Sequence, residues 1–177
     1  MPLATVSAKE RGETDRLLGA VVAQLRTEGV RVVGALRAYE FTGANPHCNS
    51  DLWLVPDGPV IRITQDLGAG STACRMDAGA LEYAVGLATA RMADEGADLV
   101  VLNKFGLSES EGRGFRSLMA GALARGVPVL TGLTDTHRPA FERFAAGMET
   151  ILPPDAAAIL DWCRTVAGPG AAIADEV

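Results

Sequence analysis

The chain predicts an α/β fold: one domain with a parallel sheet flanked by helices. Three observations carry this. Ala97-Asp98-Leu99-Val100-Val101-Leu102 is a continuous apolar run ending in the polar Asn103-Lys104-Phe105-Gly106, the pattern of a strand buried on both faces. Short apolar runs alternate with segments of helical periodicity along most of the sequence. The one break in that alternation is a turn signal, Pro56-Asp57-Gly58-Pro59, between two short apolar runs, which adds an antiparallel hairpin at one sheet edge.

Taken in order, Leu3 to Ser7 is a short first strand. Leu17, Leu18, Val21, Val22 and Leu25 recur at helical spacing and predict a helix from Thr14 to Thr27, closed by Glu28-Gly29. Val30 to Leu36 is the next strand, and Tyr39 to Asn49 a loop. The hairpin runs over 51–55 and 60–64. A glycine-rich loop, 65–76, leads to Asp77, which caps a helix over 78–94 ended by Glu95-Gly96. The central strand covers 98–102. A helix over 114–124 stops at Arg125-Gly126, and 127–130 is another buried strand. Residues 131–139 form a loop, 139–145 a short helix, 148–152 a last strand and 155–166 a terminal helix. The domain is expected to span 1–167, with 168–177 as a flexible C-terminal tail.

The 177 residues suffice for one sizeable core. They are 48% hydrophobic but only 5% aromatic, so Ala, Val and Leu must build that core. The net charge of −6 argues against a general nucleic-acid binder, which needs a basic face for phosphates. No run approaches the roughly 18 apolar residues of a membrane span, and Met1 to Arg11 lacks the pattern of a signal peptide. Cys48, Cys74 and Cys163 are odd in number and widely spaced, which fits a reducing, cytoplasmic setting. No C-x-x-C or H-x₃-H pattern favours zinc at His47-Cys48.

Three loops offer candidate ligand-binding residues. Gly68 and Gly70 permit a nest of backbone N–H groups, Ser71 and Thr72 add hydroxyls, and Gln65, Cys74 and Arg75 flank them just before a helix N-terminus. Arg75 offers the planar fork suited to oxyanions, and sets Cys74 beside a cation. The blander alternative is a plain connection with Arg75 paired to a surface acid. Directly after the central strand come Asn103, Lys104, Gly106, Glu111 and Arg113, again cations beside a helix start. The alternative there is a solvated ion pair of Lys104 with Glu109 or Glu111. His137 and Arg138 follow the 127–130 strand and face the same end of the sheet by topology. A lone histidine is more often structural than catalytic.

The strand–loop–helix opening, the hairpin, Gln65-Asp66-Leu67-Gly68-Ala69-Gly70-Ser71 with Cys74-Arg75-Met76-Asp77, and Asn103-Lys104-Phe105-Gly106 with Glu111-Gly112-Arg113-Gly114 resemble two related groups. One is the small nucleoside-triphosphatases of the P-loop class. The closer is a bacterial domain family of unassigned activity related to them, whose members are often encoded beside molybdenum uptake genes. The resemblance covers Leu3 to Trp162 and implies a P-loop-NTPase-like sheet.

The chain departs from a working triphosphatase. A phosphate loop needs G-x-x-x-x-G-K-[ST], whose lysine neutralises phosphate and whose hydroxyl binds Mg²⁺. Here stands Ala8-Lys9-Glu10-Arg11-Gly12-Glu13-Thr14-Asp15, a degenerate Walker A with Thr14 at the lysine position and Asp15 at the hydroxyl. Asp15 reads as a helix-starting acid. Asn103-Lys104 replaces the acidic pair expected after the central strand. Both losses argue against ATP hydrolysis.

The expected function is therefore binding of a small anionic ligand, an oxyanion or phosphate group, with molybdate or tungstate suggested by the resemblance. No catalytic residue and no metal site is assigned. Two alternatives stay open. One is an unorthodox nucleotide hydrolase or transferase using Asp66, Asp77 or Glu111 for Mg²⁺. The other is a non-catalytic partner of a transporter ATPase or of a cofactor assembly system. The Ala- and Gly-rich helix over 78–93 suits packing against a copy of itself, as a homo-oligomer, and equally burial within the monomer.

Overall fold

The computed structural model describes residues 2–38, 50–65 and 75–167. The elements in chain order are β1 Leu3–Val6, α1 Glu13–Thr27, β2 Val32–Arg37, β3 Asp51–Val55, β4 Val60–Arg62, β5 Thr64–Gln65, β6 Arg75–Met76, α2 Ala78–Glu95, β7 Leu99–Phe105, α3 Leu107–Ser110, α4 Arg116–Ala124, β8 Val129–Leu133, α5 Arg138–Ala145, β9 Glu149–Leu152 and α6 Ala156–Ala167. A 3-10 turn, Asp135–His137, joins β8 to α5.

Among the described residues, the main sheet has seven strands in the order β4-β3-β2-β7-β8-β1-β9. β2, β7, β8, β1 and β9 pair in parallel, while β3 and β4 extend the β2 edge antiparallel, where the turn signal places the hairpin. This is an α/β architecture consistent with a P-loop-like fold.

The apolar run of β7 serves both faces. Val100 and Leu102 join α2, α4 and α5 in one core; Leu99 and Val101 join α1 and α6 in the other. Side chains alternate across a strand, so a strand with helices on both sides must be apolar throughout. Inside the first core, Phe105 meets Phe141 edge-on at 5.3 Å. Gly34 of β2 lies so close to the Val101 carbonyl that a Cβ there would collide with it, so this central crossing requires glycine.

The structure corrects several predicted boundaries. Asn103 and Lys104 lie within β7, not beyond it, and Thr131 lies within β8. The expected 103–114 loop contains α3. The helix expected from Gly114 begins at Arg116, because Gly114 sits at φ 60° and gives its N–H to Glu82 Oε1 at 2.9 Å instead of to a helix. At the ends of the 65–76 segment, Thr64–Gln65 pairs antiparallel with Arg75–Met76. The segment over 168–177 lies outside the described residues.

Candidate functional site

The connection leaving β1 runs through α1 toward β2, whereas that leaving β8 runs the other way through α5 to β9. The carboxyl ends of adjacent β1 and β8 therefore flank the crevice where such sheets bind ligands. Around it lie the residues that follow β1, the first turn of α1, the end of β7 and the 3-10 turn after β8.

The end of β7 is irregular. Leu102 pairs with Thr131 and Phe105 with Leu133, so three steps along β7 oppose two along β8. The extra residue is a β-bulge at Asn103–Lys104. A bulge bends its strand and re-aims the side chains it carries. Here it leaves Asn103 half-buried and Lys104 exposed on a strand whose other residues are buried.

Both residues line a pocket of about 140 Å³. Gly106 and His137 share it, so four predicted site residues from two separate segments meet there. The His137 ring Nδ1 lies 3.1 Å from the Thr134 hydroxyl. Leu52, Ile63, Leu81 and Phe115 form a buried hydrocarbon wall, and Met76 and Leu107 are exposed side chains of the same lining.

Glu109 braces the pocket. The residue is 5% exposed. Its Oε2 accepts the Gly106 N–H at 3.0 Å and its Oε1 accepts the Phe115 N–H at 2.9 Å. From its place in the sequence Glu109 reads only as a surface partner of Lys104. Its place three residues after Gly106, the spacing of an acid that caps the start of a helix, is the signal that could have found it. Glu82, Leu81 and the apolar wall carry no local signal.

The remaining predicted residues disperse. Arg113 lines a neighbouring pocket of about 240 Å³ with Glu82, Ser117 and the start of α2, and forms an ion pair with Glu111. Arg138 pairs with Asp135 at 2.9 Å. Gln65 and Arg75 are exposed and oppose each other across β5 and β6. Gly68, Gly70, Ser71, Thr72 and Cys74 lie outside the described residues, as does Asp66. Asp77 caps α2, its Oδ1 accepting the Ala80 N–H at 3.0 Å.

At the mouth of α1, the Ala8 N–H donates to Thr14 Oγ1 at 3.0 Å and closes the turn after β1. Asp15 is more than a helix-starting acid. It pairs with Arg37 of β2 at 3.7 Å with its side chain only 17% exposed. Burial pushes its carboxyl above the usual range, against the pull of Arg37 and then Lys104. Among the described residues no three His, Cys, Asp or Glu side chains gather as metal ligands, and no helix is long and apolar enough to cross a membrane.

With this geometry in view, residues 3–162 match the family model described as protein of unknown function DUF2478. The chain belongs to the DUF2478 family. The molybdenum import ATP-binding protein ModC 2 of Bradyrhizobium diazoefficiens is similar, 32% identical over 162 residues that make up 92% of this DUF2478 chain but 18% of the relative. The chain thus spans under a fifth of that protein's length. No solved structure matches.

Proposed function

We propose that this domain binds a small oxyanion or phosphate-bearing ligand at the carboxyl end of its sheet, on a P-loop-like scaffold whose phosphate loop has decayed. The observation that carries the reading is the bulge at the end of β7. It brings a lysine and an asparagine to the pocket that His137 also lines. A cation and adaptable hydrogen-bonding groups at the carboxyl end of a parallel strand suit an anion. The decay of the phosphate loop is supported by Asp15, whose carboxylate lies in the first turn of α1 and within electrostatic reach of Lys104. The relative's name speaks of molybdenum import, which makes molybdate, with tungstate as its chemical analogue, the first anion to try.

Thermal shift on metal-stripped protein tests this with molybdate, tungstate, sulfate, phosphate and Mg–ATP. A ligand at a hundredfold its Kd adds about 2.7 kcal/mol, a readily seen rise in Tm. Stabilisation by an anion that is lost in Lys104→Ala supports the proposal. Stabilisation by Mg–ATP alone overturns the decayed loop and favours a nucleotide enzyme.

A second reading rests on the relative's length. The similar segment there is a minor part of a longer import ATP-binding protein. Our chain would then be an interaction domain acting beside a transporter ATPase. It predicts a flat anion panel and direct binding to such an ATPase.

A further inference from the structure

We infer that the anion taken by the β7 pocket is the head group of a small organic molecule whose apolar body rests on the hydrocarbon wall, not a bare inorganic oxyanion. The inference rests on the anion-binding reading above and names the ligand class for that site.

Among the described residues the pocket's lining is chemically one-sided. Leu52, Ile63, Leu81 and Phe115 are 2%, 7%, 5% and 3% exposed, so that wall is fixed core and cannot turn polar groups inward. Two polar residues of the lining are already engaged. Glu109 uses both oxygens on backbone N–H groups, and the Ser108 hydroxyl lies against Met76 Sδ at 3.4 Å. Among the described lining residues, Asn103, Lys104 and the His137 ring nitrogen not taken by Thr134 remain as the groups suited to a ligand's oxygens.

A tetrahedral inorganic oxyanion presents oxygens in every direction. Inside this pocket, those turned to the hydrocarbon wall would lose water with no donor in return, which is unfavourable. A molecule with its oxygens at one end meets the polar side with its head and the wall with its body. Pockets for drug-sized ligands run about 300–1,000 Å³. The 140 Å³ here restricts the occupant to a small body, a short alkyl chain or one ring.

Calorimetric titration with inorganic, methyl, butyl and phenyl phosphate at neutral pH tests this, because the head group stays constant while the body grows. Each buried methylene strengthens binding roughly fourfold, so butyl phosphate should bind at least tenfold more tightly than methyl phosphate, and inorganic phosphate most weakly. Met76→Gln, at an exposed position that leaves the core intact, should shrink the butyl-to-methyl ratio while sparing methyl phosphate. Lys104→Gln should weaken the whole series. Inorganic phosphate binding as tightly as butyl phosphate, with dependence on Lys104, overturns the organic-ligand inference and leaves the anion site standing. Binding indifferent to Lys104 overturns both. No binding by any of the four overturns the organic-ligand inference, and a thermal-shift panel that is also flat for molybdate, tungstate and sulfate overturns the anion site.

Discussion

The Glu109 carboxylate occupies the space that a side chain at Gly114 would need. A Cβ built on Gly114 collides with Glu109 Oε1 and comes within 3.0 Å of Ser108 Cβ. Gly114 also sits at φ 60°, in the left-handed region. Gly114→Ala therefore combines backbone strain with overpacking and should cost about 2–5 kcal/mol in urea unfolding. A loss below 0.5 kcal/mol, about the scale of a neutral surface change, would show that the 106–115 turn is not held in this way.

The same carboxylate gives a separate prediction. Glu109→Ala leaves the Gly106 and Phe115 N–H groups without their acceptor in a buried setting. At about 1–3 kcal/mol for each of the two unsatisfied groups, the loss should be about 2–6 kcal/mol. Glu109→Gln keeps one acceptor and should recover part of it. Equal losses in the two variants would mean that packing, not hydrogen bonding, is what Glu109 supplies.

How far the sequence speaks depends on whether a feature is local. β7 was legible because burial on both faces leaves an apolar run, and the hairpin because its turn residues are adjacent. The α2 cap was legible because Asp77 bonds three residues ahead. The bulge at Asn103–Lys104 was not, because it is defined by register against β8, nearly thirty residues downstream. The same holds for Asp15, whose partner Arg37 lies on another element. Thus the sequence places its candidate residues after the sheet's strands, and pairing decides which of them meet in one pocket.

Cys163 should be chemically silent. The sequence places it in the core, and it is buried on α6 against α1. Burial raises its thiol to about 12. In a Cys48→Ser, Cys74→Ser background at pH 8, a thiol reagent should react roughly a thousandfold more slowly than with free cysteine, because so little thiolate exists. Denaturant should abolish the protection. Fast labelling of the native protein would mean that the contact between α1 and α6 opens readily.

The end of α1 is tied to α6 by Glu28 and Arg164. Two bonds, at 2.6 Å and 3.0 Å, join the carboxylate to the guanidinium, and Gln24 adds a third. The Arg164 bonds, then Gln24, lower the Glu28 carboxyl from 4.5 to about 2. A depressed carboxyl contributes stability above its unfolded value and loses it as pH falls toward the folded one. The Tm gap between the natural protein and Glu28→Gln should be constant above pH 5 and close between pH 4.5 and 2. It should also narrow in high salt, since the pair is exposed. A gap that persists at pH 2 would assign the effect to something other than this charge.

Asp15 titrates in the opposite sense. Its carboxyl is raised above 3.8, first by burial, against Arg37 and Lys104. The folded state then holds the proton more tightly than the unfolded chain. The stability from this group is complete below 3.8 and is lost as pH rises through the raised value. Asp15→Asn keeps the shape without the charge, so at pH 7 it should be at least as stable as the natural protein, and near pH 3 the two should converge. The same substitution removes a negative neighbour of Lys104, so any phosphate ester bound at the β7 pocket should bind more tightly. A variant clearly less stable at pH 7 would mean that the Arg37 pair outweighs burial. Unchanged anion affinity would place the bound ligand beyond the field of Asp15.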